Sequence, residues 1–98
     1  MYAHVNVWRL SEAGDSPSTA VAHQLASNLR RQPGFRSYTL IRTGDREVVA
    51  VTIFDERDQI EAAVRAVADL VDDRVKPLAA GAPERRHGEV AYQLTADE

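Results

Sequence analysis

Cysteine is absent from the 98-residue chain, so it can build no disulfide framework, thiolate zinc site, iron–sulfur cluster or thiol nucleophile. Lysine is nearly absent as well. Lys76 is the only one, and arginine supplies almost all of the positive charge. No stretch approaches the roughly 20 apolar residues of a membrane-spanning helix. Met1 to Leu10 alternates polar and apolar residues and carries His4, Asn6 and Arg9, a pattern unlike the apolar core of a signal peptide. A soluble cytoplasmic protein with no membrane partner is expected. The net charge is -3, with both signs interspersed, so there is little to hold a phosphate backbone, and no nucleic-acid partner is expected. Gly-rich phosphate loops, nucleophile elbows and internal repeats are missing too.

What remains is a chain that is 44% hydrophobic and of a length suited to one core, so residues 1–98 are read as a single domain. Tyr2 to Leu10 alternates as a strand, with Ala3, Val5 and Val7 on one face and Tyr2, His4, Asn6, Trp8 and Leu10 on the other. A turn containing Gly14 follows, and Ser16-Pro17 opens a helix that should run to about Arg31. Val21, Ala22, Leu25, Ala26 and Leu29 form its buried stripe, and Pro33-Gly34 ends it. Phe35 to Arg42 and Glu47 to Asp55 flank Thr43-Gly44-Asp45-Arg46 as an antiparallel hairpin. The second of these strands, around Val48 to Phe54, is apolar on both faces and must be covered above and below. Asp55 to Asp58 supplies a cap and negative charge for a second helix, in which Ile60, Ala63, Val64, Val67, Val71, Val75 and Leu78 recur at helical spacing until Pro77 kinks or ends it. A loop from Gly81 to Gly88 and a last strand from Glu89 to Thr95, with Val90, Tyr92 and Leu94 on one face, complete the order βαββαβ.

Two crossovers of this kind give a ferredoxin-like α+β fold, a four-stranded antiparallel sheet with both helices on one face. The other face would be bare and apolar, a liability in a monomer. A homodimer through sheet faces is expected.

On this element order, on Pro33-Gly34-Phe35 at the entrance to the second strand, and on Val51-Thr52-Ile53-Phe54-Asp55-Glu56 leading into the second helix, the chain resembles the dimeric α+β barrel superfamily. That superfamily includes the antibiotic biosynthesis monooxygenase domains and the haem-degrading monooxygenases, and the resemblance covers nearly the whole chain. It implies a small-molecule cavity between helices and sheet, lined from helix-facing strand positions, with His4, Asn6 and Trp8 among them. Asn6 resembles the first-strand Asn that hydrogen-bonds ligand or oxygen in haem-degrading members. As a buried amide it needs partners, and either a ligand or a nearby backbone group or water can supply them. Phe54 stands where many of these oxygenases have Trp. The helical His of the haem-degrading members falls at Val64 or Arg65, which leaves iron without an axial ligand, and the third-strand Asn of the quinone-forming members corresponds to Ala50.

Trp8 and Tyr92 either stack on a planar ligand or pack in the core. Tyr38 and Arg42 share one face of the second strand, where they present donors to an anionic or phenolic group or simply line an edge. His4, His23 and His87 fall on a strand, a helix and a loop, so no metal site is expected. Asp72-Asp73 suits a solvated helix surface, and Arg85-Arg86-His87 suits a solvated loop or an anion-attracting pocket mouth. The leading expectation is a small-molecule-binding protein, a cofactor-independent monooxygenase of an apolar or aromatic substrate. In such chemistry the substrate carbanion itself reduces oxygen, His4 serves as base, Asn6 orients substrate or oxygen, and Trp8 and Phe54 form walls. The alternative is a non-catalytic dimeric binding or assembly domain whose cavity is filled by Trp8, Tyr2 and helix residues. A nucleotide- or amino-acid-sensing module ranks last.

Overall fold

A computed structural model describes residues 1–11 and 19–96. The expected turn at Gly14 and the helix start at Ser16-Pro17 lie outside the described residues. The elements are β1 (Tyr2–Arg9), α1 (Thr19–Arg30), β2 (Phe35–Gly44), β3 (Glu47–Phe54), α2 (Arg57–Ala66), a short helical piece α3 (Ala68–Leu70) and β4 (Glu84–Glu89). The strands form one antiparallel sheet in the order β2-β3-β1-β4. This is the ferredoxin-like α+β arrangement.

The hairpin between β2 and β3 closes over Asp45 and Arg46, so Thr43 and Gly44 belong to the strand, with an irregularity between Arg42 and Gly44. Arg9 and Thr43 both reach Glu47 beside it, at 2.6 and 2.7 Å. At the other end, Gly34 takes a φ of 82° to leave α1, and its carbonyl accepts the Asp55 N–H at 2.9 Å. The positive φ is one that only glycine adopts without cost. The Gln59 side chain accepts the Glu56 N–H at 2.9 Å and so caps α2.

The second helix is not one uniform rod. It breaks at Val67, resumes as α3, widens into a π-helical turn over Val71–Val75 and tightens into a 3-10 turn at Lys76–Leu78, where Pro77 lies. Ser11 N–H donates to Leu78 O at 2.9 Å and Ala80 N–H to Arg9 O at 2.7 Å, which ties the end of this segment to the end of β1.

The last strand corrects the sequence expectation. It spans Glu84–Glu89, earlier than Glu89 to Thr95, and pairs with β1 from Tyr2↔Glu89 to Val7↔Glu84. An edge strand can be polar because one flank faces solvent, and charge there discourages unwanted pairing. Glu84-Arg85-Arg86-His87 accordingly carries none of the β-branched and aromatic alternation of a buried strand. Val90 N–H still donates to Met1 O at 2.9 Å, but Tyr92 and Leu94 are 83% and 72% exposed.

The core under the helices is in two parts. Trp8, Leu10, Val21, Val48 and Val75 form one, and Leu29, Phe54, Ile60, Ala63 and Val67 the other; Leu25 and Val71 pack against both. On the opposite sheet face, Val5, Val51 and Thr39 are register partners with no described helix above them. Among the described residues no helix is long and apolar enough to cross a membrane.

Candidate functional site

A cavity of about 220 Å3 is lined by residues of both halves of the core. Its floor comes from alternate residues of three strands. His4, Asn6 and Trp8 of β1 stand beside Ala50 and Val48 of β3, with Tyr38 and Leu40 of β2 beyond them. Strand alternation dictates this grouping: His4 pairs Thr52, Asn6 pairs Ala50 and Trp8 pairs Val48, so the even-numbered residues of β1 share one face with the even-numbered residues of β3. Ala50 is the small residue that leaves room opposite the helices. The roof is mainly aliphatic, with Leu25 of α1 and Val64, Val67 and Val71 of the second helical segment, and the ion pair of Asp72 and Lys76 also reaches the lining.

Asn6 carries the polar anomaly of this site. Its Oδ1 is buried and accepts no hydrogen bond from any described residue. A buried carbonyl oxygen left unpaired costs of the order of 1–3 kcal/mol, so a partner from outside the chain would be favoured there. His4 is half-buried, and desolvation, followed by the charges of Arg85 and His87, holds its imidazole pKa below the ordinary 6.5. The ring is therefore neutral at physiological pH and able to accept a proton. Burial raises the Tyr38 phenol above its usual value of 10.0, which keeps it protonated.

Trp8 is buried, with 7% of its surface exposed, and belongs to the core while forming part of the cavity wall. It does not fill the void. Phe54 is fully buried against Phe35, with ring centroids 5.6 Å apart in an edge-on contact, and lies in the second half of the core outside the cavity lining. Arg42 points to the hairpin, where its Nη2 donates to Asp45 O at 3.2 Å, and is not among the lining residues. Tyr92 is solvent-exposed and His23 lies on the open face of α1.

Two residues of the site follow from the correct placement of β4. Arg85 pairs Asn6 and His87 pairs His4 across the β1–β4 ladder. Arg85 thereby reaches the cavity lining, and the His4 and His87 rings meet edge-on with centroids 6.4 Å apart. The sequence signal was the alternation Arg85, His87, Glu89, hidden by its polarity. Among the described residues no group of three or more His, Asp and Glu side chains is placed to hold a metal ion.

No protein-family model and no curated protein matches the chain. Solved structures do. SnoaB of Streptomyces nogalater, a cofactor-independent oxygenase, aligns with a TM-score of 0.74 at 21% identity over 99% of this chain and 97% of its own. A Nitrosomonas europaea protein described provisionally as an antibiotic biosynthesis monooxygenase aligns with a TM-score of 0.78 at 12% identity, covering 93% of this chain and 90% of that one. MhuD, crystallised with two manganese protoporphyrin IX molecules per active site, aligns with a TM-score of 0.73 at 20% identity, covering 98% of this chain and all of its own. At these identities the likeness speaks for the fold. The chain shares its ferredoxin-like α+β fold with these structures.

Proposed function

We propose that this chain is a cytoplasmic homodimer that takes an aromatic, hydroxyl-bearing molecule into the cavity beneath its helices and oxygenates it without metal or flavin. The observation that carries the reading is Asn6, a buried amide oxygen without a partner on the wall of an otherwise largely apolar void. A substrate hydroxyl donating to Asn6 Oδ1 satisfies that oxygen and sets the ring against Trp8. His4, neutral through its lowered pKa, takes a proton from the activated carbon. Arg85 on the same wall faces the negative charge that develops, and a charge so placed is strengthened where water is excluded. The carbanion supplies the electrons that reduce oxygen. In the balanced outcome a CH2 group and O2 become a carbonyl and water. The likeness in fold to SnoaB, a cofactor-independent oxygenase, supports this chemistry.

A metalloporphyrin, as bound by MhuD, does not fit the residues here. The helical side of the lining offers no histidine as an axial ligand, and a void of about 220 Å3 is small for such a group.

Oxygen uptake with an anthrone as substrate tests the reading. Asn6→Ala and His4→Ala are each expected to lower turnover about a hundredfold, the low end of what a positioned base contributes. Wild-type affinity and turnover in both variants would overturn it. The position of Phe54 outside the cavity favours a second reading, a binding domain without turnover; tight binding of the anthrone by the wild type with no oxygen uptake would select it.

A further inference from the structure

Beside the inner cavity a second one, of about 500 Å3, opens between α2 and the β1–β4 pair, and the two share His4, Val64 and Arg85. Its character is different. Arg57, Arg65 and Arg85 converge on it with Tyr2 and His87, and Glu61 is the one carboxylate on its wall. Arg57 lies 5.9 Å from the centre of the Tyr2 ring and meets Glu61 at 3.2 Å in an exposed pair. Such pairs contribute little, so the guanidinium remains available. Neither Arg65 nor Arg85 forms an ion pair among the described residues. The Tyr2 hydroxyl and His87 Nδ1 are 2.8 Å apart, which fixes both rings on this wall. Three guanidinium groups against one carboxylate stand out on a chain whose net charge is -3.

We propose that this vestibule is an anion subsite, taking the carboxylate of an aromatic acid whose ring system occupies the inner cavity. The inference rests on the proposed occupancy of that inner cavity and adds the substrate class. A guanidinium presents parallel N–H donors that match a carboxylate. The shared lining at His4 and Arg85 lets one molecule span both spaces. A void of roughly 150 Å3 accepts benzene, so the larger inner cavity suits a small fused ring system, and the open vestibule leaves the charged end part of its hydration. An acid of this shape places its apolar body under the valines of the second helical segment and its anionic end among the arginines.

Calorimetric titration with 2-naphthoate and 2-naphthamide, on the wild type, Arg57→Gln and Arg65→Gln, tests it. Naphthoate is expected to bind the wild type about tenfold more tightly than the amide, the range of one charge-assisted contact. Each variant should lose about tenfold in naphthoate affinity and keep its naphthamide affinity, and raising the salt concentration should weaken the acid alone. Equal binding of acid and amide by all three proteins would overturn the anion subsite while leaving the inner cavity as a ligand site. Binding of neither compound would overturn the cavity reading and the subsite with it.

Discussion

Gly34 and Gln59 share one space: a Cβ at residue 34 would overlap the Gln59 side-chain amide, the same group that caps α2 through the Glu56 N–H. The residue that ends α1 and the residue that opens α2 are therefore a single packed unit, joined again by the Gly34 carbonyl and the Asp55 N–H. This gives the Pro33-Gly34-Phe35 motif a physical reason. Gly34→Ala should cost about 2–3 kcal/mol, combining the strain of a positive φ with the loss of a helix cap. Chemical denaturation measures it. In a Gln59→Ala background the same substitution should cost less, because the overlap is gone. A loss below about 0.5 kcal/mol in the wild-type background would contradict the coupling.

Asn6 is costly to the fold in the absence of a ligand, since its Oδ1 is buried and unpaired. Asn6→Leu has nearly the same shape without the polar atoms and extends the apolar wall. It should raise stability by about 1 kcal/mol and abolish binding of hydroxyl-bearing aromatics. Thermal melting and titration on the same preparations give both readings. A destabilised variant would mean that Asn6 is satisfied within the fold.

How far the sequence disclosed the site depends on which regularity each residue obeys. The alternation in β1 placed His4, Asn6 and Trp8 on one face, and the two-sided apolarity of Val48 to Phe54 matches a central strand with helices on one side. Those signals are strong because burial enforces them. The edge strand β4 has no such enforcement, so the sequence pattern puts Arg85 and His87 in a loop and does not disclose their pairing with Asn6 and His4. Arg42 shows the converse limit. Parity places it on the face of Tyr38, but it lies at the end of β2 and its guanidinium reaches the turn at Asp45 instead. Periodicity likewise ran straight through Val67, where the helix breaks, because the apolar stripe continues although the backbone ladder does not.

The lowered pKa of His4 sets a pH dependence whose sign follows from linkage. Burial disfavours the charged ring most, with Arg85 and His87 adding to it, so the folded pKa lies below the unfolded value of 6.5. The unfolded chain thus binds the extra proton first. The stability linked to His4 is fully present above about pH 6.5 and is lost as the pH falls through that value toward the folded pKa. Tyr2, Arg57, Arg65, Arg85 and His87 share its surroundings. Removing one charge, in Arg85→Gln, should raise the His4 pKa without restoring it fully, because desolvation remains. Titration of the histidine ring signals by NMR between about pH 5 and 8 follows this directly. An unchanged His4 titration in the variant would show that Arg85 is screened from the ring.

The sheet face opposite the helices supplies the remaining prediction. Val5 and Val51 are register partners at its centre, Ile41 is 44% exposed near its β2 edge, and no described element covers it. An apolar face of this kind is stabilised by a second copy packed against it, sheet to sheet, and the symmetry of such a contact repeats every substitution on both sides. Wild-type protein should therefore sediment at twice the 10.8 kDa chain mass. Val51→Lys would bury a lysine from each copy in that contact, and one unpaired buried charge costs about 3 kcal/mol or more, roughly a hundredfold in affinity. The variant should sediment as a monomer at concentrations where the wild type is dimeric, and its helix content by circular dichroism should be retained because the substituted face lies away from α1 and α2. Sedimentation of the wild type as a monomer across the micromolar range would exclude this face as a self-association surface. The same experiment on a chain ending at Val90 separates the contribution of Tyr92 and Leu94, whose exposure on a single chain would end if they add to the partner's sheet.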